Sequence, residues 1–270
     1  MTVHDIAKSG FNTANELYDR LPRQSTSSSA FPTAFLTPAL MRASRIASGT
    51  GIFTRCFLAH PEWQSAIKQL RAVEPSEGMR NVFSKTVSDE RVSVTEGTFQ
   101  QTGIEDGWAD LVVIAQAFHW CPDYERASEE LGRILKPGGV LALIWNVEDS
   151  ETAKWVAQVR DCIQPYEQDS PQYRLGHWRR TFGTTAYQKA FERPQEEVWS
   201  YHLPVSGDIV VDRASTKSYV SILPDDEKAK VRRALAAIVE RGEDKVWIKE
   251  SEGTFAYPYK TNLVIACRKM

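Results

Sequence analysis

The sequence predicts an α/β protein built on a doubly wound, mostly parallel sheet with a helical cover. Three observations predict it. From Gly51 to Val147, strand-like and helix-like segments alternate, the pattern of βαβ units with right-handed crossovers. "ADLVVIAQAF" (109–118) is a continuous apolar run, as expected of a central parallel strand covered on both faces. A long helical pattern followed by a long strand pattern closes the sequence. It is read as completing the same sheet.

The elements follow in order. "NTANELYDRL" is predicted to be a short helix, with Asn12 as cap and Pro22 closing it. From Gln24 to Pro61 there is no Asp, Glu or Lys, and "RQSTSSSAFPTAFLTPALMRAS" is rich in Ser, Ala, Thr and Pro. This stretch reads as loop or linker, with at most a brief helix at "PALMRAS". "IFTRCFLAH" fits a helix ended by Pro61, "LRAVEPS" a short buried strand and turn, "EGMRNVFSKTV" a helix, and "RVSVTEG" an alternating strand. "DYERASEELGRIL" is an amphipathic helix that "KPGG" terminates, and "VLALIWNV" is another buried strand. Beyond these come a helix in "SETAKWVAQVRDCIQPYEQ" and a strand in "VWSYHLPV". "PDDEKAKVRRALAAIVERGE" is a helix with Pro224 and Asp225 at its start and Gly242 at its end, and the final strand lies in "GTFAYPYKTNLVIACRK". One domain, 1–270, is expected. It divides into a lead-in at 1–45 (atypical over 23–45), a cofactor-binding half at 46–150 and substrate-side helices and strands at 151–270.

Composition narrows the function. The chain has 270 residues, is 42% hydrophobic and 25% charged, and carries a net charge of −2. That is ordinary globular composition, without the basic excess of a nucleic-acid or anionic-membrane binder. Four well-separated cysteines form no CxxC pair and no dense framework. They read as reduced thiols in a cytoplasmic protein, with no metal site. "AFPTAFLTPALM" is too short and proline-broken to span a bilayer.

In a doubly wound sheet, ligands bind beyond the carboxyl ends of the strands. The candidate residues fall there. "SGTG" precedes a helix, and Gly49 and Gly51 let backbone approach a ligand closely. Glu74 ends the second strand, where a carboxylate can accept hydrogen bonds from both ribose hydroxyls. Backbone near Thr98 and Phe99 is placed to read an adenine edge. "AQAFHW" ends the fourth strand and "IWN" the fifth.

From Ile46 to about Val147 the chain resembles the class I S-adenosylmethionine-dependent methyltransferases. The resemblance is to the small-molecule, type 11 group that includes trans-aconitate methyltransferases and many uncharacterised fungal proteins. "SGTGIFTR", "LRAVEPSEGMR", "VTEGTF", "ADLVVIAQAFHWC" and "RILKPGGVLALIWN" carry it, and "GFNTANELYD" is similar to the group's lead-in helix. The resemblance implies a seven-stranded, Rossmann-like methyltransferase sheet. It implies that S-adenosylmethionine is held by Ser48, Gly49 and Gly51 under the methionine part and Glu74 on the ribose. Thr98 and Phe99 would flank adenine, with Ala115, Gln116 and His119 lining the methionyl and methyl-donor region. His119 and Trp120 would face a small-molecule substrate with a carboxylate or hydroxyl acceptor, His119 serving as base for a hydroxyl or carbon acid.

"RIASGTGIFTR" (45–55) departs from that family. Its first strand is usually a short apolar run ending in an acid, one apolar residue, then glycine-x-glycine-x-glycine. Here Arg45 takes the acid's place and Ala47 the first glycine's, "PALMRASR" makes a poor strand, and "RLPRQSTSS" replaces the usual arginine-proline-x-tyrosine-proline segment. The break is compatible with a real divergence and with an out-of-frame or mis-spliced segment. An arginine repels a sulfonium and an ammonium unless it turns to solvent, so cofactor binding is expected to be weak. Two alternatives stay open: a cofactor-defective relative with a binding or scaffold role, and a nicotinamide dehydrogenase. The second lacks a full G-x-G-x-x-G loop and a Tyr-x-x-x-Lys set.

Overall fold

A computed structural model describes residues 41–270. The expected helix at 12–21 and most of the atypical segment lie outside the described residues. One sheet organises the rest. Its strands are β1 (Met41–Ile46), β2 (Ile67–Val73), β3 (Val92–Thr95), β4 (Ala109–Ala115), β5 (Leu135–Glu148), β6 (Gln195–Val205), β7 (Trp247–Lys249) and β8 (Thr254–Cys267). The order is β3-β2-β1-β4-β5-β8-β6, with short β7 paired to β8 outside that path. β1 to β5 run parallel, while β8 is antiparallel to both β5 and β6. The path has the seven expected strands, and β7 is an unforeseen eighth.

The first strand is the main correction. Met41–Ile46 is not a loop or helix but the centre of the sheet, paired in parallel with β2 and β4. Its own sequence argues weakly for a strand, since Ser44 and Arg45 are buried in it. Apolar neighbours impose the conformation: Leu70, Ala72, Leu111 and Val113 are all fully buried beside it. Strand preference is set by surroundings more than by the residue itself.

Helices α1 (Ile52–Ala59) and α2 (Glu77–Thr86) flank β1 to β3. The Ser76 side chain caps α2 by accepting from the Met79 amide. α3 (Tyr124–Ile134) is capped by Asp123 and buries Ala127, Leu131 and Ile134. "KPGG" does not lie beyond this helix as a separate stop. It opens β5 instead, because α3 ends at Ile134 and the strand begins at once. Gly138 takes a left-handed φ of +74°, and a Cβ on Gly139 would sit 2.8 Å from the Lys136 carbonyl. Neither position tolerates a side chain easily.

Val112 and Ile114 face one layer of the core with Leu131 and Trp178, while Leu111 and Val113 face the other with Phe57 and Phe83. The alternation follows from the strand's period of two. The cover consists of α4 (Lys154–Ile163), α5 (Thr185–Ala190), α6 (Gly207–Ser215), α7 (Ser218–Ser221) and α8 (Asp225–Arg241). Asp225, Asp226 and Glu227 fill the first turn of α8, and Gly242 ends it at φ +37°, as the helix dipole and the αL cap require. A third core cluster joins α4, α6 and α8 to the ends of β6 and β8 through Trp155, Leu235, Tyr257 and Tyr259.

Candidate active site

The loop after β1 carries three consecutive departures from right-handed backbone at alternate residues. Ala47, Gly49 and Gly51 have φ of 52°, 60° and 86°. Ala47 thus occupies a left-handed position that glycine would fill without strain, at about 1–2 kcal/mol for an L-residue. A Cβ on Gly51 would lie 2.6 Å from Val87, so this glycine serves helix packing. Among the described residues no atom lies within 4 Å of a Cβ built on Gly49, which leaves that side of the loop open to them. Ser48 is buried; its amide donates to the Val73 carbonyl, and its hydroxyl finds no hydrogen-bond partner among the described residues.

Glu74 follows β2 and meets this loop. Its Oε2 accepts from the Gly49 amide at 2.8 Å and its Oε1 from the Ser76 amide at 3.0 Å. Burial raises its carboxyl above the usual carboxylate range, against those two amides and the charges of Arg80 and Arg45. Each oxygen retains a second lone pair, so a diol can donate to both without displacing the loop.

Arg45 does not turn to solvent. It is 2% exposed. Its Nη1 donates to the Val113 carbonyl at 2.6 Å, and its guanidinium carbon lies 4.7 Å from the centre of the Phe53 ring. The cation is therefore a fixed part of the wall beside the glycine loop.

After β3, the Thr98 amide donates to the Gln101 carbonyl, and Phe99 is buried edge-on against Phe118 at 5.6 Å. Half-buried Ala115 ends β4. Gln116 follows in a left-handed conformation, φ 59°. Its side-chain amide ties β4 to β5 by donating to the Asn146 carbonyl at 2.7 Å and accepting from the Asn146 amide at 3.1 Å.

Gln116, His119 and Trp120 converge on a cavity of ≈ 240 Å³ beyond the ends of β4 and β5, roofed by α4, α6 and α7. Ser48, Gly49, Gly51, Glu74, Thr98, Phe99 and Ala115 do not line it. The expected substrate pair and the expected loop residues thus occupy neighbouring regions of the same sheet edge.

His119 sits in a short 3₁₀ turn, Phe118–Trp120. Its Nδ1 accepts a hydrogen bond from the Trp145 indole at 3.1 Å. Trp145 is itself clamped by Tyr173 at 4.9 Å and Trp178 at 4.4 Å between ring centres. Burial first, and then the charge of Lys217, push the His119 pKa down to about 3. It is neutral at physiological pH.

Sequence reasoning missed the cavity's ionic cluster. Glu148, the last residue of β5, accepts from Lys217 at 3.1 and 3.3 Å, pairs with Arg213 at 3.5 Å and accepts from the Tyr259 hydroxyl at 3.3 Å. Burial alone would raise its carboxyl; Lys217 and Arg213 outweigh that and hold it well below the usual range. Glu148 had a positional signal, since it ends a parallel strand. Lys217 and Arg213 had none. Among the described residues no group of His, Cys, Asp or Glu is arranged to hold a metal ion, and no helix is long and apolar enough to cross a membrane. The four cysteines are free thiols.

Comparisons with known proteins agree with this architecture. The YcgJ protein of Bacillus subtilis superposes with a TM-score of 0.57 at 17% identity, covering 92% of this chain and all of that one. Phosphoethanolamine N-methyltransferase 2 of Haemonchus contortus, solved with phosphomonomethylethanolamine and S-adenosylhomocysteine, gives a TM-score of 0.56 at 12% identity over all of this chain and 61% of its own. At these identities the likeness is one of fold, and that fold is the Rossmann-like methyltransferase sheet. Residues 45–143 match the family model described as a methyltransferase domain. An uncharacterised methyltransferase-like protein of Schizosaccharomyces pombe is 30% identical over 200 residues, 72% of this chain and 71% of that protein. A demethylmenaquinone methyltransferase of Staphylococcus aureus is 31% identical over 105 residues, 38% of this chain and 42% of that protein. The chain belongs to the class I S-adenosylmethionine-dependent methyltransferases.

Proposed function

We propose that this chain transfers a methyl group from S-adenosylmethionine to a small molecule bound in the cavity at His119 and Trp120. One observation carries the proposal: a buried carboxylate, Glu74, locked to an open glycine loop, stands on the same sheet edge as that cavity. Glu74 would take the ribose hydroxyls. Ser48, Gly49 and Gly51 would run beneath the methionine part, Thr98 and Phe99 would flank adenine, and Ala115 and Gln116 would border the methyl-donor region. When bound, S-adenosylmethionine supplies an electrophilic methyl group on a sulfonium. The protein's contribution is position, because displacement at that carbon needs the acceptor held in line with it. Trp145, packed against the stacked pair Tyr173 and Trp178, and Gln116, bonded across to β5, fix the floor of the site.

The residues fit the cofactor unevenly. Glu74 and Gly49 suit its ribose end. At the methionine end, Arg45 places a buried cation where the family carries an acid, and Ala47 holds the loop under strain. These two features support weak cofactor affinity, and they favour a second reading, that of a cofactor-defective member with a binding role. Isothermal titration separates the cases. Binding of S-adenosylmethionine and S-adenosylhomocysteine more weakly than micromolar, with no NAD binding, is expected. Absence of binding at millimolar cofactor would establish the defective reading, and NAD binding would overturn both.

A further inference from the structure

The connection from β3 to β4, residues 96–108, forms no helix or strand. A long irregular connection has no backbone ladder of its own and is held by side chains. Its first part makes a tight turn at the carboxyl edge of the sheet, where the Thr98 amide donates to the Gln101 carbonyl at 2.9 Å. The turn packs hard on β2: a Cβ on Gly97 would lie 2.5 Å from a Val73 methyl. Thr98 has thus spent its donor. No described residue accepts from the next amide, that of Phe99.

The residue just past the turn is anchored. Thr102 is 1% exposed, and both of its donors go to one oxygen of Glu130 on α3, the amide at 2.7 Å and the hydroxyl at 2.5 Å. The Thr102 hydroxyl oxygen also accepts from the Ile104 amide at 3.2 Å. Glu130 is buried and is held in turn by Arg133, three residues further along α3, through Nε and Nη2, both at 2.8 Å. Arg133 Nη2 reaches the Ile104 carbonyl at 2.7 Å, its Nη1 pairs with Asp106, and its carbonyl takes the Gly107 amide at 2.8 Å. Burial alone would raise the Glu130 carboxyl; Arg133 and Thr102 outweigh that and hold it below the usual range. A buried carboxylate costs desolvation that an apolar residue in its place would not. Fully satisfied, such a network rigidifies what it holds.

We propose that Glu130 is a positioning residue for the cofactor's base. By fixing Thr102 it holds the Phe99 amide where it donates to N1 of adenine, and so sets a preference for adenine over hypoxanthine. This rests on the cofactor reading above, which puts Thr98 and Phe99 beside adenine. Adenine N1 carries a lone pair, whereas hypoxanthine N1 carries a hydrogen. The second base therefore sets donor against donor at a fixed amide. A loop free to shift by about 0.5 Å loses that contrast. Glu130 acts through Thr102 and needs no contact with the ligand.

The first test needs no ligand. Amide hydrogen exchange is followed by mass spectrometry in the wild type, in Glu130→Gln and in Leu235→Ala, a change in the buried core of the cover. Glu130→Gln should speed exchange across residues 98–104 by roughly tenfold or more beyond any rise in the β4 peptide, and Leu235→Ala should not. A rise shared equally with β4 would show general destabilisation and overturn the anchor. The second test titrates S-adenosylhomocysteine and S-inosylhomocysteine. The wild type should favour the adenine form by roughly tenfold or more. Thr102→Val, nearly isosteric with a methyl for the hydroxyl, should bring the two affinities toward equality, as should Glu130→Gln. Thr102→Ser and Leu235→Ala should keep the preference. An unchanged ratio in folded Thr102→Val, or no preference in the wild type, would overturn the positioning role. No binding of either nucleoside to the wild type would strike the cofactor reading and the base preference with it, and the exchange result would then judge the anchor alone.

Discussion

Replacing Glu74 by glutamine changes one atom and probes the whole cofactor loop. The carboxylate accepts from two buried amides, Gly49 at 2.8 Å and Ser76 at 3.0 Å. Glutamine offers one carbonyl oxygen and one NH₂ group, so one of those amides faces another donor. An orphaned buried donor costs about 1–3 kcal/mol. The substitution also removes a desolvated charge. Because burial raises the Glu74 carboxyl above 4.5, the folded protein holds that proton more tightly than the unfolded chain. The stabilisation this gives is complete below 4.5 and is lost as pH rises through the raised value. At neutral pH the ionised group is therefore a burden, and its removal offsets part of the lost hydrogen bond. The expected net change in unfolding free energy is within about 1 kcal/mol, the offset of the two effects. Ligand binding has no such offset. A ribose hydroxyl loses a charged acceptor, about 1.5–3 kcal/mol, or roughly ten- to hundredfold in Kd. Urea unfolding and isothermal titration with S-adenosylhomocysteine measure the two quantities on one preparation. Unchanged affinity beside unchanged stability would remove Glu74 from the cofactor site.

Four further outcomes follow from the same structure. The double change Arg45→Glu with Ala47→Gly should tighten S-adenosylhomocysteine by at least about tenfold, since one like-charge contact is worth 1 kcal/mol or more at an effective dielectric near 20 and the αL strain adds about as much; no gain in titration would show that the loop holds the cofactor by another route. Gly51→Ala should destabilise by about 2–4 kcal/mol, combining left-handed strain with overpacking against Val87, whereas Gly49→Ala, with open space around it, should lose about 1–2 kcal/mol; equal melting midpoints would contradict the packing assignment. Glu148→Gln should cost about 1–3 kcal/mol at neutral pH by stranding Lys217 and Arg213. The wild-type carboxyl is depressed, so its stabilisation is present above 4.5 and fades as pH falls below it; acid unfolding of the variant should therefore be flatter there, and parallel curves would count against the ion cluster.

Legibility in the sequence tracks how local the cause is. β4 is plain from "LVVIA" because every residue in the middle of a doubly covered strand can be apolar. α8 is plain because acids open it and Gly242 closes it. β1 is hidden because its reason to be a strand lies in β2 and β4, and its own Ser44 and Arg45 argue against burial. Glu74 and Gly49 are legible as neighbours through topology alone, since adjacent parallel strands bring their ends together. Glu148, Arg213 and Lys217 belong to no motif; α6 and the turn into α7 fold the two cations back onto β5 from far along the chain. His119 stands out in "AFHW", but its chemistry depends on Trp145 in "LIWN", and no spacing in the sequence announces that hydrogen bond.

The place of β8 has a consequence for synthesis. It lies between β5 and β6 and gives β6 its pairing, from Gln195↔Ile265 to Val205↔Phe255. Tyr257 and the Tyr259 and Thr261 partners of Glu148 and Asn146 come with it. On a translating ribosome, β1 to β5 can assemble while β5 still presents an unpaired apolar edge and β6 has nothing to pair with. The sheet closes only when residues 254–267 arrive and bridge strands far apart in sequence, a late, high-contact-order step. Until then the open edge is the surface on which a nascent copy is most exposed to aggregation and to chaperones. The cavity, whose wall depends on the same strand, is assembled last of all.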